Sequence, residues 1–179
     1  DPTIVPELIS LQLDSVYSLG FDGIRITAPF SDRGSFLAAI AYARAARALG
    51  VDAVVVLSEF AGLTLPQALA DEQMGAVALG LYGSVFVPPP LPARPGMGGL
   101  GPKGVGRIAL QVLNEPALFC GIPPATYVTD FLAPCYNFLK ATYPDAIVVS
   151  AAEVGTNVRP ARMRAMLEAG LERVTDRVA

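Results

Sequence analysis

The residues with the clearest capacity for chemistry are Asn114 and Glu115, which precede Pro116. They follow a largely apolar run, Ile108–Leu113, that has strand character, and Pro116 cannot continue a central strand because it has no N–H to donate. A carboxamide and a carboxylate therefore stand side by side where a buried strand reaches the surface. In a barrel of alternating strands and helices, catalytic residues lie at this end of the strands. The simpler alternative is a turn with a solvated glutamate.

The elements that must position these two residues alternate between strand and helix. Apolar runs with strand character are Phe21–Thr27, Ala53–Leu57, Ile108–Leu113 and Ala146–Ser150. Amphipathic helical patterns are found at Pro6–Leu19, Ser31–Leu49, Thr64–Leu81, Val128–Leu139 and Asn157–Gly170. We expect Ser31 or Asp32 to cap the second helix and Pro134 to kink or split the fourth. Residues 176–179 have the pattern of a further strand opening.

A short motif at the start of the strands is repeated along the chain. Residues 20–24 (Gly-Phe-Asp-Gly-Ile) are echoed by residues 50–54 (Gly-Val-Asp-Ala-Val), and more weakly by residues 143–147. The shared order of glycine or proline, aspartate and strand indicates a reiterated βα unit.

This pattern predicts an α/β domain with a parallel sheet, which must be covered on both faces or closed on itself. We expect residues 1–179 to form a single, partial catalytic domain of a TIM (β/α)8 barrel. It would cover about the second to fifth βα units, with the first strand before Asp1. The Gly/Pro-rich segment 83–106 is expected to be an inserted loop, with a Pro-rich binding segment as the alternative. The runner-up architecture is a small doubly wound sheet, for which the first helix and residues 176–179 are left over.

Composition excludes several classes of partner. The chain is 53% hydrophobic and 16% charged, which suits buried parallel strands and their covering helices. Its net charge is -3 and its basic residues are scattered, so we expect neither nucleic acid nor a membrane surface as a partner. The longest uncharged stretch, residues 74–93, is interrupted by glycine and proline and is not a membrane helix. No signal-peptide pattern is present, and a processed, secreted protein would look the same as a cytoplasmic one.

Metal and cofactor sites are not predicted. The chain has no histidine and no Cys-x-x-Cys, so we expect no structural zinc. Neither a Gly-x-Gly-x-x-Gly after the first strand nor a phosphate-binding loop is present, so no nucleotide cofactor is expected. Cys120 and Cys135 can form a disulfide or remain as two buried thiols.

The segment Leu113-Asn114-Glu115-Pro116 resembles the fourth-strand signature of the glycoside hydrolases of clan A. The resemblance implies that Glu115 is the general acid/base and that Asn114 holds the 2-hydroxyl of the sugar. Residues 23–26 are similar to the second-strand segment of that clan, which implies that Arg25 lies near the catalytic nucleophile. The nucleophile itself would be a glutamate on the seventh strand, beyond Ala179. Where families of the clan often have a histidine after the third strand, this chain has serine and glutamate at 58–59.

The implied activity is hydrolysis of O-glycosidic bonds by a retaining two-carboxylate mechanism. Glu59 and Glu153 follow strand ends and are candidates for lining the sugar subsites, although solvated rim carboxylates are the simpler interpretation. Arg25 has the alternative of a structural ion pair with either of them. Phe60 and Phe119, like Phe30, fall just after strand ends, where aromatic rings stack on sugars. The absence of tryptophan favours a small glycoside or short oligosaccharide as substrate.

Two other functions remain open at this point. The first is a non-catalytic, carbohydrate-binding barrel in which Glu115 has no catalytic partner. The second is a small doubly wound ligand-binding domain. Because the second carboxylate is expected outside this chain, the chain alone is predicted to be inactive.

Overall fold

The computed structural model describes residues 15, 23–48, 50–58, 106–114, 116, 121–151 and 159–178. Within these residues the chain is an α/β structure built on one sheet, whose strands are β1 (Gly23–Pro29), β2 (Asp52–Ser58), β3 (Ile108–Val112), β4 (Ile147–Ser150) and β5 (Arg177–Val178). The strands follow the order β1-β2-β3-β4-β5, and every neighbouring pair is parallel. The predicted α/β class with a parallel sheet is confirmed, and residues 177–178 do open a further strand.

The helices lie between the strands, as the sequence pattern predicts. They are α1 (Arg33–Ala48), α2 (Pro124–Thr126), a π-helical segment (Tyr127–Leu132), α3 (Ala133–Thr142) and α4 (Arg159–Glu168), followed by a 3-10 turn (Leu171–Arg173). Ser15, within the predicted first helix, is helical. The helix predicted at 64–81 and all of the inserted segment except Gly106 lie outside the described residues.

The helical stretch around Pro134 changes from π-helical to α-helical geometry between Leu132 and Ala133, beside the proline at which a kink or split was predicted. The N–H of Ala133 donates to the carbonyl of Val128, five residues back. Pro134 follows as the second residue of α3 and, having no N–H, donates no hydrogen bond back into the π-helical segment. The π-helical turn thus absorbs the proline without ending the helix.

Asp32 is the cap of α1, which decides between the two predicted candidates. One carboxylate oxygen accepts the N–H of Gly34 at 3.0 Å and the other accepts the hydroxyl of Ser35. The Ser35 hydroxyl and then the Gly34 N–H lower the pKa of the Asp32 carboxyl. Gly50 follows the helix and has a φ of 78°, the left-handed conformation typical of a residue just past a helix terminus.

The aspartates at the strand starts bind the neighbouring strand. Asp52, in the repeated motif, accepts the backbone N–H of Arg107 at 2.7 Å and its guanidinium at 2.6 Å. Asp176, just before β5, accepts the N–H of Val148 at 2.8 Å and pairs with Lys140 at 2.9 Å. These carboxylates satisfy backbone donors where the ladder begins, which gives Asp52, of the repeated motif, a structural role.

One face of the sheet, the helix face, packs on the helices. It consists of Ile24, Ile26, Ala28, Ala53, Val55, Leu57, Ile108, Leu110, Val112 and Val148. These residues form one apolar cluster with Phe36 and Ile40 of α1, with Tyr127 and Leu132 of the π-helical segment, and with Met166 of α4. In the described part of the chain, therefore, helices from the crossovers β1–β2, β3–β4 and β4–β5 pack on the same side of the sheet.

The opposite side, called the second face, carries the alternate residues. It consists of Arg25, Thr27, Val54, Val56, Ser58, Ala109, Gln111, Ile147, Val149 and Arg177. Its centre is buried, with Val56 1% and Gln111 4% exposed, whereas Val54, Ala109 and Val149 are half-buried. The described strands do not close into a barrel, and this face, five of whose ten residues are polar or charged, keeps partial exposure.

Gly106 lies where the start of β3 approaches the turn after α1. Its N–H donates to the carbonyl of Arg47 at 2.8 Å, and a Cβ at this position would stand 2.2 Å from the carbonyl oxygen of Val51. We expect Gly106→Ala to lower the free energy of unfolding by about 1–3 kcal/mol, because backbone must shift on one side of the contact. Urea denaturation of the two proteins measures the difference.

Gly23→Ala is the matched control, since its new Cβ would meet the carbonyl oxygen of Asp52 at 3.3 Å, a tight contact that needs a shift of only a few tenths of an ångström. Equal losses in the two variants would contradict the close backbone contact at Gly106.

Cys135 is a free thiol, fully buried in the helix-face cluster. Burial raises the pKa of this thiol, which disfavours the reactive thiolate. In a Cys120→Ser background, we expect an aromatic disulfide reagent to leave Cys135 unmodified in native buffer and to modify it in concentrated guanidinium chloride. The absorbance of the released thiolate measures the reaction, and rapid modification of the native protein would contradict the buried placement.

Candidate functional site

The carboxyl ends of the parallel strands share one edge of the sheet, and Asn114 lies there, just after β3. Of the predicted site residues, Arg25 and Asn114 are described. Glu115, Glu59, Phe60, Phe119 and Glu153 lie outside the described residues, so their predicted roles stay predictions.

The structure brings Arg25 and Asn114 together. Arg25 lies on the second face of β1, and Asn114 follows β3, with β2 between these strands. Nη2 of Arg25 donates to Oδ1 of Asn114 at 2.8 Å. Arg25 pairs with Val54 of β2, which pairs with Ala109 of β3, so the hydrogen bond reaches past β2 to a residue five positions beyond Ala109. Two residues 89 positions apart in sequence thus meet at the predicted edge and on the second face.

The backbone at Leu113 turns sharply before Asn114. Leu113 has a φ of 62°, a left-handed conformation that costs a non-glycine residue about 1–2 kcal/mol. Its N–H donates to the carbonyl of Leu57 at 2.8 Å and its side chain is buried, so packing holds the residue in this conformation. Strained backbone of this kind is found at functional sites, where it aims a neighbouring side chain. Here that neighbour is Asn114.

Gln111 supports this turn from the second face. Its Nε2 donates to the carbonyl of Leu113 at 2.9 Å and approaches Oδ1 of Asn114 at 3.5 Å. The sequence analysis did not single out Gln111. The signal was available, because it is the one polar residue within the apolar run Ile108–Leu113.

Tyr127 joins the ends of β3 and β4. Its hydroxyl donates to the carbonyl of Val112 at 2.8 Å and accepts the N–H of Ala151 at 2.7 Å. The equivalent rung between β1 and β2 is a direct bond, from the N–H of Phe30 to the carbonyl of Ser58 at 2.8 Å. The tyrosine hydroxyl therefore lies between β3 and β4, where a direct hydrogen bond from the N–H of Ala151 to the carbonyl of Val112 would otherwise form.

The tyrosine lies outside the predictions made from sequence, which began this helix at Val128. No local signal marks it, because its partners are backbone atoms 15 and 24 residues away.

Ser58 places a hydroxyl at the same edge, on the second face. Its Oγ is buried and has no hydrogen-bond partner among the described residues. Buried hydroxyl groups are nearly always paired, so this one is suited to bind an oxygen of a ligand. Ser150 also has a buried, unpaired Oγ within the described part, but it alternates onto the helix face.

Phe30 is part of the core, which corrects the expectation that it is placed to stack on a sugar. It is 3% exposed, and its ring lies 5.0 Å from that of Phe36, centroid to centroid. Its position just after a strand end suggested a rim residue, but the chain turns back into α1 there. The ring consequently covers the first turns of α1 instead of the edge of the sheet.

Other kinds of site find no support in the described residues. No three cysteine, aspartate or glutamate side chains among them are grouped to hold a metal ion. None of the helices described is long and apolar enough to span a membrane. No protein-family model matches the chain, and no curated protein matches it in sequence.

Proposed function

We propose that this chain is part of the (β/α)8 barrel of a retaining glycoside hydrolase that cleaves O-glycosidic bonds of a small glycoside or short oligosaccharide. Glu115 is the general acid/base, and Asn114 binds the sugar. The nucleophilic carboxylate lies outside this chain. The observation that carries the proposal is the hydrogen bond between Arg25 and Asn114, because it joins the two matching motif segments at one edge of the sheet.

The strand order favours a barrel over a doubly wound sheet. Crossovers between parallel strands are right-handed in about 98% of cases, so successive crossovers in one direction place their helices on one face. A doubly wound sheet reverses its strand order and covers both faces. Here the order is β1 to β5 without reversal, and the described helices pack on the helix face alone. The second face, whose central residues Val56 and Gln111 are buried, suits the interior of a barrel.

The chemistry needs two carboxyl groups roughly 5 Å apart, one protonated and one ionised. Glu115 directly follows Asn114, so it begins from the same edge. As general acid it protonates the leaving oxygen, and as base it later activates water. Asn114 donates to the 2-hydroxyl, in a bond that strengthens as the sugar becomes an oxocarbenium ion. Arg25, on the same face, favours the ionised form of the nucleophile through its positive charge.

A non-catalytic carbohydrate-binding barrel is the second candidate. Arg25, Asn114 and the unpaired hydroxyl of Ser58 would bind sugar oxygens without any turnover. It differs from the first candidate in one respect only, which is whether a second carboxylate faces Glu115.

The test is hydrolysis of a panel of nitrophenyl glycosides by the natural protein, with the anomeric form of the first product followed by proton NMR. We expect release of nitrophenol and a product that keeps the configuration of the substrate. A product of inverted configuration would contradict the retaining mechanism. Sugar binding without any release would favour the carbohydrate-binding barrel.

A further inference from the structure

Three side chains meet at the turn after β3, and the chemistry of their donors fixes how each is oriented. Arginine has only donors, so the atom of Asn114 that lies 2.8 Å from Arg25 must be its carbonyl oxygen. The backbone carbonyl of Leu113 only accepts, so the atom of Gln111 that lies 2.9 Å from it must be the amide nitrogen. That nitrogen then has a second hydrogen directed towards Oδ1 of Asn114, at 3.5 Å.

Both neighbours therefore act on the same end of the Asn114 amide. Oδ1 receives the guanidinium of Arg25 and the amide of Gln111, whereas Nδ2 has no hydrogen-bond partner in the described part of the chain. If the Asn114 amide were rotated, its NH2 group would face the guanidinium N–H of Arg25 and the second hydrogen of Gln111. Neither of these two donors would then have an acceptor there. The rotamer with Nδ2 available is thus selected before any ligand arrives.

We infer that Gln111 is a positioning residue that, together with Arg25, presents the NH2 group of Asn114 to a ligand oxygen. The amide nitrogen of Gln111 contributes in two ways. It donates to the backbone carbonyl of the left-handed Leu113, and it directs its second hydrogen towards the side-chain oxygen of Asn114. Its burial on the second face keeps the side chain in a single position. That the ligand oxygen is the 2-hydroxyl of a sugar rests on the proposed function.

The first measurement compares kcat/KM for an aryl glycoside and its 2-deoxy counterpart in the natural protein and in Gln111→Met, which keeps the volume but loses the donor. We expect kcat/KM for the glycoside to fall roughly tenfold, the worth of about one hydrogen bond. The loss should appear mainly in kcat, because the contact strengthens in the transition state. The value for the 2-deoxy compound should change little, because it has no hydroxyl for Asn114 to bind.

Val56→Ala is the matched control. Val56 pairs with Gln111 across the two strands and is equally buried, but its side chain makes no hydrogen bond. Its loss should affect both substrates alike, as any purely structural defect would. The positioning role would be overturned if Gln111→Met lowered kcat/KM equally for both substrates. It would also be overturned if the substitution left kcat/KM unchanged for both.

The second measurement does not depend on hydrolysis. In a proton–nitrogen NMR spectrum of the natural protein, the side-chain NH2 signals of Gln111, identified by their loss in Gln111→Met, should exchange slowly with solvent. The same substitution should shift the NH2 signals of Asn114. If the protein hydrolyses no glycoside but both effects are seen, the proposed function fails and the positioning role stands. Fast exchange of Gln111, or unshifted Asn114 signals, would overturn the positioning role whatever the activity.

Discussion

Glu115→Gln in the natural protein should reduce turnover of glycosides with poor leaving groups by about 10²–10⁴-fold, the contribution of a positioned general acid. Such leaving groups need a proton on the departing oxygen, and glutamine has none to give. Activated aryl glycosides leave as stable phenolates, so the first step on these substrates should be much less affected. The measurement is kcat/KM for a series of aryl glycosides whose leaving groups differ in pKa.

The same variant should change the shape of the pH profile. In the natural protein, kcat/KM for a poor leaving group should fall at high pH as the general acid loses its proton, and this limb should disappear in Glu115→Gln. Glu168→Gln, an exposed substitution at the end of α4, is the matched control and should leave both activity and profile unchanged. Equal loss on good and poor leaving groups would contradict the acid/base role of Glu115.

The coarse fold was predictable because it depends on local patterns. Apolar runs separated by amphipathic helices predict parallel strands, and the strands lie where those runs are. That Arg25 and Asn114 belong to one site was expected from the resemblance, but a hydrogen bond between the two was not. The cap at Asp32 also follows from sequence, because a short polar side chain before a helix satisfies its first N–H groups.

The supporting residues were not predictable, because their roles depend on register. Gln111 faces Asn114 only because Leu113 turns left-handed, and no local signal assigns that conformation to a leucine. Tyr127 meets Val112 and Ala151 only once β3, β4 and the π-helical segment are packed together. The prediction for Phe30 was wrong for a related reason, because its ring packs against Phe36 of α1.

Tyr127→Phe should destabilise the protein more than the loss of one ordinary hydrogen bond. The substitution leaves two buried backbone groups, the carbonyl of Val112 and the N–H of Ala151, without the hydroxyl that joins them. Each unsatisfied group costs about 1–3 kcal/mol, so we expect the free energy of unfolding to fall by about 2–4 kcal/mol. Urea denaturation measures the difference, with an unchanged slope showing that the unfolded state is the same.

Tyr136→Phe is the matched control, because Tyr136 lies on the same helix, its ring contacts Lys140, and its hydroxyl makes no hydrogen bond with the described residues. It should change stability by less than about 0.5 kcal/mol.

If Tyr127→Phe lowers the free energy of unfolding as little as the control does, β3 and β4 must close to form a direct bond from the N–H of Ala151 to the carbonyl of Val112. That closure would move the turn at Leu113 and should then lower kcat/KM although stability is kept. Loss of stability together with loss of activity would instead show that the hydroxyl sets the spacing between the end of β3, next to Asn114, and the end of β4.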